Sequence, residues 1–110
     1  MKKYIFRVNV EVTHMEGSLL PEYCAGAFVN VYLAADNIRE AVDMAEKELL
    51  DDLYKPVETT SAYQIDKEDY DKEYEEEGDP NSNDLENIHK NGGVWYAAFH
   101  TYPPDEMEIQ

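Results

Sequence analysis

Residues 4–13, YIFRVNVEVT, alternate without a break. Tyr4, Phe6, Val8, Val10 and Val12 fall on one side, and Ile5, Arg7, Asn9, Glu11 and Thr13 on the other. A period of two over ten residues is the pattern of a pleated strand with one face in a core. The second set is largely polar, which predicts a sheet wet on one side and therefore antiparallel. HMEGSLLPEYC follows as a loop marked by Gly17 and Pro21. AGAFVNVYLA then repeats the alternation, with Ala27, Val29, Val31 and Leu33 opposed to Phe28, Asn30 and Tyr32. The two strands are expected to pair as a long-looped hairpin.

The period changes at residue 37. Asn37 followed by Glu40 is a capping-box pattern with Asn in the Ser/Thr place. Ile38, Ala41, Val42, Ala45, Leu49 and Leu53 then form one helical stripe, while Asp43, Glu46, Lys47 and Asp51 take the wet side. Pro56 is expected to end that helix. A third strand is predicted over VETTSAYQI through Val57, Thr59, Ser61, Tyr63 and Ile65, and a fourth over VWYAAFHTY. Between them lies an acidic insertion at about residues 66–93, where Asn83 with Glu86 is expected to cap a short helix, DLENIHK, ended by NGG. The tail from about 103 to 110 is expected to be loose. The fold class implied is α+β: an antiparallel sheet of about four strands, ordered β-β-α-β-insertion-β, with one long helix packed on one face. At 110 residues the chain is a single domain, 1–110.

Charge narrows the range of partners. The chain holds 25 acidic and 9 basic residues, a net charge of −16. Phosphate backbones and anionic membranes are repelled by such a surface, so direct nucleic-acid and membrane binding are disfavoured. A basic protein is attracted, and self-repulsion favours a monomer. The single cysteine, Cys24, excludes an intramolecular disulfide and points to a reducing compartment. Arg7, Asn9 and Glu11 interrupt the apolar run that a signal peptide needs, so the expected location is cytoplasmic.

The chemistry of a site is sparsely marked. DPNSNDLENIHK opens like a calcium loop, with Asp79, Asn81 and Asn83 in ligand positions. Asp84 then replaces the turn glycine, and Lys90 stands where a bidentate Glu is required. His14, His89, His100 and Cys24 are scattered without the short ligand pairs of a zinc site. Cys24 beside a histidine would suit nucleophilic catalysis only if the two met, and a lone cysteine at a strand start reads first as a small buried hydrophobe. Glycine-rich phosphate loops are absent. No enzyme, metal or cofactor is expected.

The densest feature is DKEDYDKEYEEEGD, residues 66–79, in which nine of fourteen residues are carboxylates. Such charge ordinarily marks a solvated loop. Tyr70 and Tyr74, four apart, would share a face if the segment turned helical. Rings among carboxylates suit a surface that receives arginine and lysine from a partner. The expected contact patch is Asp69, Tyr70, Asp71, Glu73, Tyr74, Glu75 and Glu76, with Trp95 and Tyr96 as secondary candidates.

In its acidic, tyrosine-bearing segment DKEDYDKEYEEE, its compact α+β pattern and its lack of catalytic machinery, the chain resembles the small acidic immunity proteins of bacterial toxin systems. These include those of contact-dependent inhibition and other polymorphic toxins. The likeness is one of class and transfers no residue roles. It implies stoichiometric inhibition, an acidic face covering the basic groove of a nuclease-like toxin. The chain is also similar to acidic phage-encoded inhibitors that imitate nucleic acid, such as anti-CRISPR proteins, which implies carboxylates at phosphate-like spacing. A third expectation is a small-molecule or calcium-binding α+β domain.

Overall fold

The computed structural model describes residues 3–18, 20, 24–66 and 80–103. Among the described residues, five strands and two helices follow one another: β1 (Tyr4–Thr13), β2 (Gly26–Ala35), α1 (Ile38–Asp51), β3 (Lys55–Ile65), α2 (Ser82–Asn91), β4 (Val94–Tyr96) and β5 (His100–Tyr102). The sheet is antiparallel in every pairing and ordered β3-β1-β2-β4, with β5 also on β2. The fold is α+β.

β1 and β2 form the hairpin that their alternation predicts, running from Tyr4 opposite Ala35 to Thr13 opposite Gly26 without a slip. Matched alternation holds this register, because a one-residue shift would turn every valine of one strand into water. Phe6, Val8, Val10 and Val12 meet Ala27, Val29, Val31 and Leu33 on the front face, and Ala41, Ala45 and Leu49 of α1 close over them. The helix stripe is narrower than its sequence suggests. Ile38 and Leu53, at its two ends, are exposed, and Met44 packs at the edge of the core instead.

α1 starts as predicted. The Glu40 N–H donates to Asn37 Oδ1 at 2.8 Å, although the Glu40 carboxylate reaches back to the Asp36 N–H rather than that of Asn37. Its end differs. The helix stops at Asp51, five residues before Pro56. The Leu53 N–H donates to the Leu50 carbonyl and the Tyr54 N–H to the Leu49 carbonyl, which is a Schellman closure. Leu53 takes the left-handed position there, at φ 72°, where glycine is the usual occupant. Pro56 belongs to β3, opposite Val12 on an edge strand, where its missing N–H breaks no ladder bond.

The back face is less open than its polar residues predict. α2 lies across one end of it, setting Leu85 and Ile88 on Ile5, Tyr32, Ala34 and Ala97, with Ile65 and Trp95 alongside. Its cap is Asn81 with Asp84, in place of Asn83 with Glu86. The Asp84 N–H donates to Asn81 Oδ1 at 2.9 Å and the Asn81 N–H to Asp84 Oδ2 at 3.1 Å. The same box template fits at both positions. Leu85 and Ile88 form the buried stripe of this helix, and Pro80 ahead of it is enclosed. Helical backbone from Ser82 occupies the run in which a calcium loop would have to form. Among the described residues no helix is long and apolar enough to cross a membrane.

The expected fourth strand is two. Between the pairs Val31–Tyr96 and Phe28–His100, β2 has two residues and the edge has three, Ala97 to Phe99. One extra residue is a bulge, and it reverses which face the following side chains take.

Candidate functional site

The predicted contact patch, Asp69, Tyr70, Asp71, Glu73, Tyr74, Glu75 and Glu76, lies outside the described residues. Its flanks are placed. β3 delivers the chain at Ile65, opposite Ile5, and the chain re-enters at Pro80 ahead of α2. Both flanks join the α2 side of the sheet, where Ile65, Leu85 and Ile88 share one apolar cluster. Of the secondary candidates, Trp95 is half-buried beside that cluster, and Tyr96 points to the opposite face.

Cys24 and one histidine do meet. Cys24 Sγ is 4.0 Å from His14 Nε2. The His14 Nε2–H, however, donates to the Cys24 carbonyl at 2.8 Å. A carbonyl only accepts, so that nitrogen carries a proton and has no lone pair with which to take the thiol proton. The thiol is 3% exposed and packs with Leu20 in the front core. This is the arrangement of a structural cysteine, not of a nucleophile and base. His89 donates to the Lys3 carbonyl at 2.7 Å, tying α2 to the start of the chain, and His100 lies exposed on β5. Among the described residues no three His, Cys, Asp or Glu side chains converge on a metal-sized site.

Aromatic rings and carboxylates are brought together instead at the β4–β5 edge, on both faces. On the front, the bulge turns Phe99 toward α1, where unbroken alternation would have sent it to the back. Its ring centroid lies 4.8 Å from that of Tyr54 and 6.1 Å, edge-on, from that of Tyr96. The Tyr96 hydroxyl donates to Asp52 Oδ2 at 2.6 Å. Burial first, then the Asp52 hydrogen bond and the Asp52 and Glu48 charges, hold Tyr96 protonated far above the usual range. Asp52 caps α1, and no basic residue occupies the last turn of that helix. The negative end of the helix dipole therefore coincides with acidic side chains. Sequence reading missed Asp52, Tyr54 and Phe99. The signal available was YAAF, two alanines that interrupt an otherwise bulky strand.

On the back, the Tyr102 ring packs tilted against Phe28, centroids 5.5 Å apart, and lies over Gly26, and its hydroxyl donates to Glu11 Oε2 at 2.6 Å. That hydrogen bond first, then burial and the Glu11 charge, push the Tyr102 hydroxyl up to about 12. An unfolded tyrosine ionises near pH ~10. The native state thus keeps this proton where the unfolded chain loses it. The contribution to stability is complete below about pH 10 and is lost as pH rises through about 12. Glu11→Ala is expected to return one tyrosine toward ordinary ionisation, read as tyrosinate absorbance during an alkaline titration. An unchanged titration would contradict the assignment. Farther along the same face, the Arg7 guanidinium donates to the Tyr63 hydroxyl, its carbon 5.8 Å from the ring centroid. Asn9 bridges Asn30 and Thr60.

A shallow groove of about 500 Å³ runs between α1 and β3, past Asp43, Glu46, Lys47, Leu50, Lys55 and Pro56. Its two acids and two lysines balance, so it selects neither sign of partner. Comparison with protein-family models, curated proteins and solved structures finds no match to the chain.

Proposed function

We propose that the chain is a non-catalytic acidic binding protein that inhibits a basic protein partner by stoichiometric blocking. The form that fits best is an immunity protein neutralising a nuclease-like bacterial toxin. The observation that carries this reading is the net charge of −16 on a 110-residue chain with nine tyrosines. A potential of that size draws in a cationic surface and repels phosphate. Tyrosine hydroxyls hold Glu11 and Asp52, leaving both carboxylates their charge and spare lone pairs for a partner. The contact patch assigned to the 66–79 segment, Asp69 to Glu76, supplies more of the same chemistry.

The test is co-purification with the product of the adjacent gene and assay of that product with and without this chain. The expected result is a one-to-one complex in which the partner's activity is lost. Reversing the charge of Glu73, Glu75 and Glu76 together is expected to slow association by roughly tenfold at low salt. Unaltered partner activity with no complex would overturn the proposal.

A further inference from the structure

We propose that the corner built by Glu48, Asp52, Tyr54, Tyr96 and Phe99 is a docking surface for an arginine carried on a loop of a basic protein. This assignment rests on the reading of the chain as an inhibitor of a basic partner, and gives that reading a second contact outside residues 66–79.

Three features converge on that corner. The first is electrostatic. α1 ends here with Glu48 and Asp52 at the negative pole of its dipole and with no basic residue in its last turn. Like charge at that pole is locally unfavourable, and a cation supplied by a partner relieves it. Lys47, one turn back, is already engaged by Asp51 at 3.1 Å.

The second is the rings. Tyr54, Tyr96 and Phe99 are half-buried against the front core, so they are held in place before any partner arrives. Aromatic faces attract guanidinium, and rings fixed in advance lose little entropy on contact. The third is the orientation of the acid. Asp52 is exposed, and its Oδ2 is aligned by the Tyr96 hydroxyl. The carboxylate keeps lone pairs for a planar donor.

Arginine fits this combination better than lysine, because its flat guanidinium stacks on a ring while its N–H groups face a carboxylate. Phosphate is excluded by the sign of the charge, and a second copy of the chain brings another −16. The bulge gives the corner its third ring, since only the extra residue among Ala97–Phe99 places Phe99 beside Tyr54.

The test is an NMR titration of the full chain with a short arginine-containing peptide and with its citrulline counterpart, which has nearly the same shape without the charge. Ring resonances of Tyr54, Tyr96 and Phe99 are expected to move with the arginine peptide and stay still with citrulline. Asp52→Asn with Glu48→Gln, which keeps an acceptor for Tyr96, is expected to weaken the arginine peptide about tenfold. Arginine-induced shifts confined to residues 66–79 would overturn the docking assignment while leaving the basic-partner reading intact. An equal response to citrulline would also overturn the assignment. No response anywhere to the arginine peptide would count against both.

Discussion

Leu49→Ala is expected to cost about 3 kcal/mol and to lower the melting temperature by more than about 10 °C. Leu49 is fully buried and is the largest side chain that α1 sends into the front core; the helix's other buried residues are Ala41 and Ala45. The two alanines before it on the buried stripe are too short to fill the space a leucine leaves. The sheet beneath is a lattice of β-branched valines, Val8, Val10, Val29 and Val31, whose side chains are stiff. A cavity there stays open, so a cavity cost adds to the lost transfer free energy. Leu49→Met, which conserves volume, is expected to cost less than about 1.5 kcal/mol. Chemical denaturation of the three proteins checks both values. Equal stability of wild type and Leu49→Ala would mean that α1 does not seal the sheet as described.

Gly26→Ala is expected to be nearly as damaging, by about 3 kcal/mol, for the opposite reason. A Cβ at this position would lie 2.5 Å from the Val12 carbonyl oxygen and 2.6 Å from the Tyr102 hydroxyl. The first is backbone in the β1–β2 ladder and cannot swing aside. The second is bound to Glu11, on a ring packed against Phe28. Relief of the Tyr102 contact requires β5 to leave β2, since Gly26 is opposite Tyr102 in that pairing. The Tyr102→Ala variant separates the two contacts. It removes the hydroxyl and the ring carbon that would lie 2.9 Å from the new Cβ but leaves the Val12 carbonyl in place, so Gly26→Ala is expected to remain destabilising in that background. Full rescue by Tyr102→Ala would show that the strand ladder itself tolerates the methyl group.

The hairpin and α1 were legible in the sequence because periodicity reports directly on burial. Val8 to Val12 and Val29 to Leu33 alternate, and each face goes where its polarity sends it. α2 was harder to place than to detect. Asn81 and Asn83 satisfy the same cap template, and the capping hydrogen bonds form at Asn81. The polar half of β1 suggested water across the whole back face, yet Ile5 and Tyr32 already marked the end that α2 covers. The bulge in VWYAAFHTY is a property of pairing: it exists because β2 offers two residues where the edge offers three.

The candidate corner was illegible for that reason. Asp52, Tyr54 and Phe99 come from a helix cap, a loop and a bulge, and nothing in their spacing announces that they meet. The acidic segment, by contrast, was conspicuous in composition, and its residues 67–79 lie outside those the structure describes. Composition located charge, and packing located the half-buried rings beside Asp52.

The most direct measurement is the association rate with the co-purified basic partner, followed by stopped flow at about 50 and about 300 mM salt. If excess negative potential captures the partner, the rate exceeds about 10⁷ M⁻¹s⁻¹ at low salt and falls at least roughly tenfold at high salt. A rate near 10⁵–10⁶ M⁻¹s⁻¹ that ignores salt, the ordinary value for unsteered docking, would contradict it.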